Sequence, residues 1–322
     1  MFELIFLGTA ATTPSPERGL PAVMVSAGAD RFLIDCGEGT QRQLLRSETG
    51  FRRLGHILLT HSHLDHVLGL GGLLSTLGLF ELRQGITICG SPETVAFVTS
   101  YLGGIWPGAR APVPIRLAAI EPGPVFTGRG YSVCCFPVRH HKTQSLGYLF
   151  ETTRRRHLLP ERLDALGVPP GPKRARLAAG HPVMLADGRE VVPEDVEARE
   201  ASSTRLAIVG DTEETETLAP FVAGADALVI EATFLDADAG LAARRGHLTA
   251  GQAARLARDA GVGALWLTHI SGRYEAGEIA AEAKRFFPEA RVMNDFDRVA
   301  TADTRRTEAR RESRGDPRLS GR

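Results

Sequence analysis

The sequence predicts an α/β fold made of two related halves, and three observations support this prediction. Short apolar strands alternate with helical segments along residues 1–300, as in α/β domains. Hydrophobic residues make up 43% of the chain and charged residues 24%, which suits a globular core. The third observation is an internal repeat, in which "RFLIDCGEGTQ" (31–41) is similar to "RLAIVGDTEET" (205–215) and "HILLTHSH" (56–63) to "ALWLTHIS" (264–271).

The first half reads as strands that alternate with helices. Its predicted strands, bounded by turn residues, are "FELIFLG" (2–8), "AVMVSAG" (22–28), "DRFLIDCG" (30–37), "HILLT" (56–60) and "ITICGS" (86–91). Its predicted helices are "TQRQLLRSETGFRRLG" (40–55), "VLGLGGLLSTLGLFEL" (67–82) and "ETVAFVTSYLGGI" (93–105). Further β-rich passages follow over 113–150.

The second half resumes the strand pattern after an irregular segment. Residues 152–200 are rich in Pro, Gly and charge and are too long for an ordinary connection, so we interpret them as an insertion in one domain of residues 1–300. Predicted strands follow at "TRLAIVGD" (204–211), "ADALVIEATF" (225–234) and "ALWLTHI" (264–270), with a helix at "HLTAGQAARLARDAG" (247–261). Residues 301–322 are charged and almost free of large apolar side chains, which predicts a disordered tail.

Composition excludes several classes of protein. The formal net charge is zero, which disfavours a broad nucleic-acid-binding surface but leaves local basic patches open. No apolar stretch approaches the roughly 20 residues that a membrane span needs, and the N-terminus lacks the pattern of a signal peptide. The four cysteines show no CxxC spacing, so we expect buried thiols in a reducing cytoplasm.

The stretch "THSHLDH" (60–66) contains three of the ten histidines and follows an apolar strand. In extended backbone, His61 and His63 point the same way and can reach one metal ion together. Asp65 and His66 follow on a turn, where they can reach a second ion. A solvated polar loop would explain one histidine here, but this density is typical of a metal site.

A site for two ions needs further ligands, one of them shared. Asp211 and His269 each end a predicted strand of the second half, and the internal repeat places both at the same edge as the histidine cluster. "FPVRHHKTQSLGY" (136–148) offers His140 and His141, of which one at most is expected to bind because adjacent strand side chains diverge. The sequence pattern alone does not decide which of the two histidines binds the metal.

Together these motifs resemble the ribonuclease Z family of tRNA 3′-processing endonucleases, within the metallo-β-lactamase superfamily. The resemblance runs from residue 1 to about residue 300, in the family's order, through "LGTAATTPSPERGLPAVMV", "LIDCGEGTQRQLL", "THSHLDHVLGL", "SLGY", "GDT", "EATF", "HLTAGQAA" and "LTHIS". It implies an αββα sandwich, in which two mixed sheets pack face to face under outer helices, with the metals at one edge and a protruding flexible arm.

The resemblance also implies a ligand set for two Zn²⁺ ions per subunit, although Mn²⁺ or Fe²⁺ would accept the same side chains. One ion would be bound by His61, His63 and His140, the other by Asp65, His66 and His269, with Asp211 bridging them. His140 is preferred because "FPVRH" fits the subgroup that this chain most resembles, whereas the spacing to Tyr148 suits His141. Leu64 departs from the glycine of many relatives, and a narrower turn is expected there.

By the same resemblance, three residues would carry the chemistry that removes the 3′ trailer from precursor tRNA and leaves a 3′-hydroxyl. Asp65 would accept the proton of the attacking water. His247 would donate a proton to the leaving oxygen, with Glu231 as its partner. The alternative for His247 is a helix-start residue beside Thr249.

The segment over 152–200 corresponds to the arm with which the family holds tRNA. Between Arg154 and Leu177 it carries seven Lys or Arg and two acidic residues, which suits a phosphate backbone. The candidate RNA-binding residues are Arg154, Arg155, Arg156, Lys173, Arg174 and Arg176. The family implies a homodimer, in which the arm of one subunit presents tRNA to the metals of the other.

Two other functions remain open from the residues. One is a hydrolase of the same fold that acts on small phosphodiesters, thioesters or lactones, which would have no evident need of the arm. The other is a non-enzymatic scaffold, which would have no need of seven metal-binding side chains.

Overall fold

The computed structural model describes residues 1–80, 85–107, 111–153, 158–197 and 203–301. The predicted tail lies outside these residues from position 302 onward, and so do the arm candidates Arg154, Arg155 and Arg156.

Two mixed sheets form the centre of the molecule. In the described part of the chain, the first sheet has seven strands in the order β16-β1-β2-β3-β4-β5-β6. These strands are β1 (Phe2–Gly8), β2 (Ala22–Ala27), β3 (Asp30–Ile34), β4 (Leu54–Leu58), β5 (Ile86–Gly90), β6 (Ile115–Ala119) and β16 (Arg298–Ala300). Pairing is antiparallel from β16 to β3 and parallel from β3 to β6.

Within the described ranges, the second sheet also has seven strands, and their order is β15-β14-β13-β12-β9-β8-β7. Its strands are β7 (Gly123–Gly128), β8 (Tyr131–His140), β9 (Thr143–Thr152), β12 (Arg205–Ile208), β13 (Ala227–Glu231), β14 (Leu265–Thr268) and β15 (Arg291–Val292). Strands β12 to β15 are parallel, whereas β7, β8, β9 and β12 pair antiparallel.

Helices cover the outer faces of both sheets. The helices of the sandwich are α1 (Thr40–Arg46), α2 (Leu64–Val67), α3 (Gly69–Leu79), α4 (Pro92–Ile105), α8 (Ala219–Val222), α9 (Ala239–Arg245), α10 (Ala250–Asp259) and α11 (Ala276–Lys284). Local sequence fixes their starts: Ser91 caps α4 by accepting from the amide of Thr94, and Pro92 occupies the first helical turn. Thr249 and Gln252 form a reciprocal capping box at α10.

Three apolar clusters define four layers. Phe6 of β1, Phe32 of β3 and Phe150 of β9 belong to one buried cluster, so the two sheets pack face to face. The other face of the first sheet packs on the leucines of α3, and the other face of the second sheet packs on the alanines of α10. The αββα sandwich expected from the sequence is therefore confirmed.

The insertion contains short helices and strands within residues 158–197. Between Leu158 and Glu197, which form an isolated antiparallel bridge, lie α5 (Pro160–Ala165), α6 (Pro172–Ala178), β10 (Val183–Met184), β11 (Glu190–Val191) and α7 (Pro193–Val196). They bury a small apolar cluster of their own, centred on Leu163, Leu177 and Val196. We call residues 158–197 the arm. The sequence interpretation of an irregular segment is wrong here, because its elements are too short to show a clear periodicity.

One predicted helix is shorter in the structure than the sequence indicates, and the expectation about membrane spans can be compared with the helices observed. The helix predicted over 40–55 ends at Arg46, because Glu48 and Gly50 adopt left-handed backbone conformations with φ of 58° and 59°. No helix in the described ranges is long and apolar enough to cross a membrane.

Candidate metal centre

The predicted ligands follow the ends of strands from both sheets. His61 and His63 follow β4 of the first sheet, while Asp211 follows β12 and His269 follows β14 of the second. His140 is the last residue of β8. Because these strand ends meet at one edge of the sandwich, side chains far apart in sequence are brought together, as the internal repeat predicts.

A sharp change of backbone direction separates the ligands of the "THSHLDH" stretch. His63 is extended and is the N-cap of the one-turn helix α2, so Asp65 and His66 leave the strand direction within that turn. The turn packs closely on the loop after β3, since a Cβ on Gly69 would lie 2.0 Å from the carbonyl oxygen of Gly37. Leu64 begins the helix with its side chain 55% exposed, and the turn accommodates it.

One carboxylate oxygen lies at the centre of the cluster. Oδ2 of Asp211 is 3.8 Å from Nε2 of His61, 3.4 Å from that of His66, 3.8 Å from that of His140 and 3.3 Å from that of His269. Nε2 of His140 also lies 3.1 Å from Nδ1 of His63. Asp211 is therefore placed to bridge two adjacent ions.

The ligand atoms separate into the two sets that the resemblance implies. His61, His63, His140 and Asp211 form one group, and Asp65, His66, Asp211 and His269 form the other, each with its donor atoms within 4.8 Å of one another. Asp65 joins the second group with Oδ2 3.5 Å from Nε2 of His66. This is a His/Asp cluster that can hold metal ions, and both groups share Asp211.

Buried polar atoms without partners show that the cluster fits a cation. Nε2 of His61, His66 and His269 and Oδ1 of Asp211 are buried and make no hydrogen bond within the described residues. An unsatisfied buried polar atom is costly, and metal ions bound in the two ligand groups would satisfy these atoms.

Electrostatics favour the same interpretation. Burial, and then the neighbouring His66, hold the pKa of His61 well below its ordinary value, and burial also lowers the pKa of His63, His140 and His269. Burial opposes ionisation of Asp211, yet the imidazoles of His269 and His66 hold its pKa well below the usual range. His66 differs from these histidines: burial opposes its protonation, but the carboxylates of Asp211 and Asp35 outweigh burial and raise the pKa of His66 well above its ordinary value. Metal binding requires a neutral imidazole, so an ion bound here would displace a proton from His66.

The geometry distinguishes His140 from His141. His140 is buried, its Nδ1 lies 2.8 Å from the carbonyl oxygen of Gly246, and its Nε2 faces the cluster. His141 lies in the turn after β8 with φ of 49°, and its Nε2 lies 2.7 Å from the carbonyl oxygen of Arg245. Only His140 is placed to bind an ion.

His247 and Glu231 form a buried pair beside the cluster. Nδ1 of His247 lies 3.0 Å from Oε1 of Glu231, which also accepts from the amide of Thr212 at 2.8 Å. Burial disfavours the imidazolium, but the Glu231 carboxylate outweighs it and raises the pKa of His247 to about 9. The side chain of His247 is 11% exposed, whereas that of Glu231 is fully buried.

The sequence interpretation missed Asp35 and Thr60, which contact ring nitrogens of two of the predicted ligands. Asp35 lies 2.8 Å from Nδ1 of His66, and Thr60 lies 2.9 Å from Nδ1 of His61. Asp35 could have been identified from its place in the first acidic turn of the internal repeat. Thr60 belongs to the Leu-Thr-His that ends the repeated strand in both halves.

The described arm candidates differ in what they contact. Arg174 forms an ion pair with Asp164 at 2.5 Å and donates to the carbonyl oxygen of Val168, and Lys173 donates to that of Met184. These two side chains therefore also hold the arm together. Arg176 is exposed on α6.

Comparison of the sequence with those of known proteins identifies the same family. A family model described as "Beta-lactamase superfamily domain" matches residues 30–159 and 197–270, and the intervening gap coincides with the arm. Ribonuclease Z of Bradyrhizobium diazoefficiens is 56% identical over 299 residues, which cover 93% of this chain and 99% of that protein. Ribonuclease Z of Archaeoglobus fulgidus is 37% identical over 300 residues, covering 92% and 96%.

Solved structures show the same fold. Human tRNase Z, short form, superposes with a TM-score of 0.65 at 24% identity and covers 93% of this chain and 99% of its own. The metallo-β-lactamase fold protein YhfI of Bacillus subtilis gives a TM-score of 0.66 at 17% identity, covering 92% and 98%. With near-complete coverage in both directions and the cluster in place, the chain belongs to the ribonuclease Z family of the metallo-β-lactamase superfamily.

Proposed function

We propose that this chain is a metal-dependent endoribonuclease that removes the 3′ trailer from precursor tRNA. The observation that carries the proposal is the His/Asp cluster, held by a chain that matches ribonuclease Z relatives over nearly their whole length. The reaction hydrolyses one phosphodiester and leaves a 3′-hydroxyl on the tRNA and a 5′-phosphate on the trailer.

We propose two Zn²⁺ ions per subunit, since imidazole and carboxylate are ligands that Zn²⁺ takes, and Mn²⁺ or Fe²⁺ takes them too. His61, His63 and His140 would hold one ion, Asp65, His66 and His269 the other, and Asp211 both. Bound divalent cations supply Lewis-acid activation of a water molecule and stabilise the negative charge that develops on the phosphate.

The protein's own groups move the protons. Asp65 accepts the proton of the attacking water, and its carboxylate is oriented by the amide of Thr12, which donates to Oδ2 at 3.1 Å. His247 is the general acid that protonates the leaving 3′ oxygen. Glu231 keeps His247 charged and oriented, so that the acid is ready at neutral pH.

The arm supplies recognition of tRNA, with residues 152–200 as an inserted exosite and Arg176 as the most exposed of its described candidates. The absence of residues 160–196 from the superfamily match supports this role, because the hydrolytic site is complete without them. The family resemblance supports a homodimer in which each arm serves the metal centre of the other subunit.

A reducing compartment, the cytoplasm, is proposed on separate grounds. All four cysteines are free thiols; Cys36, Cys89 and Cys135 are buried as expected, whereas Cys134 is only partly buried. Free buried thiols are typical of proteins that fold where disulfides do not form.

Cleavage of a 3′-extended precursor tRNA tests the proposed function. We expect wild-type protein to carry two divalent ions, to cut the precursor at the trailer junction, and to lose activity with a chelator and recover it with Zn²⁺. Replacement of residues 160–196 by a short linker removes the arm at its bridged base. This variant is expected to lose tRNA cleavage but still hydrolyse bis(p-nitrophenyl) phosphate.

Variants with single changes sharpen the comparison. Asp211→Ala is expected to abolish hydrolysis of both substrates, and Arg176→Ala to weaken tRNA cleavage alone. A wild-type protein that holds two ions and splits the small diester but leaves the precursor intact would contradict the RNA assignment, and would favour a hydrolase of small substrates.

A further inference from the structure

We propose that His141 is a positioning residue for the general acid, because it anchors Arg245 at the end of helix α9, two residues before His247. This inference rests on the proposed function and deepens its proton-transfer step. The sequence left His141 as an alternative metal ligand, and the structure instead places its ring on the backbone of the segment that carries His247.

Two consecutive histidines contact two consecutive carbonyl groups. Nδ1 of His140 lies 2.8 Å from the carbonyl oxygen of Gly246, and Nε2 of His141 lies 2.7 Å from that of Arg245. A carbonyl oxygen only accepts, so each of these ring nitrogens donates. Arg245 is the last residue of α9, and the last carbonyl groups of a helix find no donor within it. The two histidines supply the donors that the end of this helix lacks.

The close approach of His141 to this segment depends on a glycine. Gly246 follows α9 in a left-handed conformation with φ of 69°, which suits glycine. A Cβ at this position would lie 2.6 Å from Nε2 of His141, so a side chain here would push the ring away. The backbone directly before His247 is therefore shaped to receive the ring of His141.

The hairpin that carries His141 fixes the other end of the contact. His141 and Lys142 are its two loop residues, since the last pair between β8 and β9 is His140 with Thr143. The hydroxyl of Thr143 donates to the carbonyl oxygen of His140 at 2.6 Å and holds the loop closed. His141 has φ of 49°, where glycine or asparagine is the usual hairpin residue. A histidine kept in this uncommon conformation indicates a use for its side chain.

The anchor matters for the proton that reaches the leaving group. Nδ1 of His247 contacts Oε1 of Glu231 at 3.0 Å, which leaves Nε2 to donate. As the water oxygen bonds to phosphorus and gives a proton to Asp65, the bond from phosphorus to the 3′ oxygen breaks. Its electron pair stays on that oxygen, which takes the proton from Nε2. The transfer requires the ring within hydrogen-bond reach, so a shift of residues 245–247 lowers kcat.

His141→Ala removes the donor to Arg245. We expect the amides of residues 246–248 to exchange about 2- to 10-fold faster, since one hydrogen bond is lost. We also expect kcat for precursor tRNA to fall about tenfold with KM unchanged. His141→Gln carries an N–H the same number of bonds from the backbone and is expected to restore both values. Lys142→Ala is the matched control, because Lys142 is exposed in the same hairpin loop, and its exchange and kcat are expected to match wild type.

A change of leaving group separates positioning of the acid from a general structural role. In a precursor tRNA with sulfur in place of the 3′ oxygen at the scissile bond, the leaving thiolate is a much weaker base than an alkoxide and departs without a proton. His247→Ala and His141→Ala are both expected to cut this substrate at nearly the wild-type rate. A residue that merely supported the fold or the metal ligands would slow both substrates alike.

The measurements are amide exchange of the full-length protein and kcat and KM on the two precursors. Wild-type exchange and kcat in His141→Ala would overturn the inference, and so would an equal loss of kcat on the oxygen and sulfur substrates. If His141→Ala does not fold, His141→Asn decides, because asparagine favours the left-handed conformation but is one bond too short to reach Arg245. Wild-type protein that leaves the precursor intact would overturn the proposed function, whereas amide exchange decides the anchor without any cleavage.

Discussion

At the scale of single residues, the pair of His247 and Glu231 shows how a neighbouring carboxylate raises the pKa of a buried histidine despite burial. Glu231 is fully buried and accepts from the amides of Thr212 and Leu248 and from the hydroxyl of Thr233, besides contacting His247. These donors fix the carboxylate in place. The raised pKa of His247 therefore depends on one negative charge that cannot move away.

A change in pH dependence follows from this pair. The folded pKa of His247 lies at about 9, so the general acid is protonated below that pH and is lost as pH rises through it. In Glu231→Gln the raising charge is gone, and the alkaline limb of kcat/KM is expected to move to lower pH. Profiles measured on precursor tRNA check this, with Glu213→Gln as control, a partly buried ion-pair partner of Arg139. Coincident alkaline limbs in wild type and Glu231→Gln would contradict the assignment.

Residues also mark the limit of what could be predicted from the sequence. The dense "THSHLDH" stretch predicted a metal site because few other environments need so many imidazoles together. The choice between His140 and His141 depended on where β8 ends and turns, which a single sequence does not specify. Thr60 gave no chemical signal of its own, because its importance arises from the approach of Asp35, which lies 25 positions away.

At the scale of elements, the arm is a long hairpin connection. Strand β9 pairs antiparallel with β12, with Glu151 opposite Arg205, and the arm lies between these two strands along the chain. The strands themselves were predictable from apolar runs between turn residues. The elements of the arm were not, since its buried cluster is made of short helices and a two-residue hairpin that leave little periodic pattern.

Leu177 tests whether the arm folds as its own unit. Leu177→Ala removes a fully buried side chain from the arm cluster, and such substitutions cost about 2–5 kcal/mol. We expect faster amide exchange over 158–197, a rise of about tenfold or more in KM for tRNA, and unchanged hydrolysis of the small diester. Leu177→Met, which conserves volume, is the control. Faster exchange spread equally over both sheets would contradict an independent arm.

At the scale of the whole molecule, the two related halves explain why the site forms where it does. Each half ends a strand in an acidic turn, at Asp35 and Asp211, and a later strand in Leu-Thr-His, at His61 and His269. Packing the sheets face to face brings all four to one edge. Asp35 and Asp211 then differ in their contacts, since Asp35 contacts Nδ1 of His66 whereas Asp211 lies at the centre of the His/Asp cluster.

Mixed dimers test the proposed exchange of arms between subunits. A chain that lacks residues 160–196 keeps the metal cluster, while a full-length Asp211→Ala chain keeps the arm. If arms act across the dimer, refolding the two chains together is expected to restore tRNA cleavage that neither has alone. A chain carrying both changes serves as control partner and is expected to restore none. Dimers of the correct mass without recovered cleavage would show that each arm serves its own subunit.

The bridge between Leu158 and Glu197 has a consequence for how the chain folds. Pairing β9 with β12 requires closing a long loop, and the entropic cost of closure grows with the logarithm of loop length. Once the arm has formed around its own cluster, the loop that remains to be closed consists only of the short segments between the arm and strands β9 and β12. A loop that is fourfold shorter costs about 1 kcal/mol less to close. An arm that forms early would therefore lower the entropic barrier to pairing β9 with β12, and with it the barrier to bringing the strand ends around the metal cluster together.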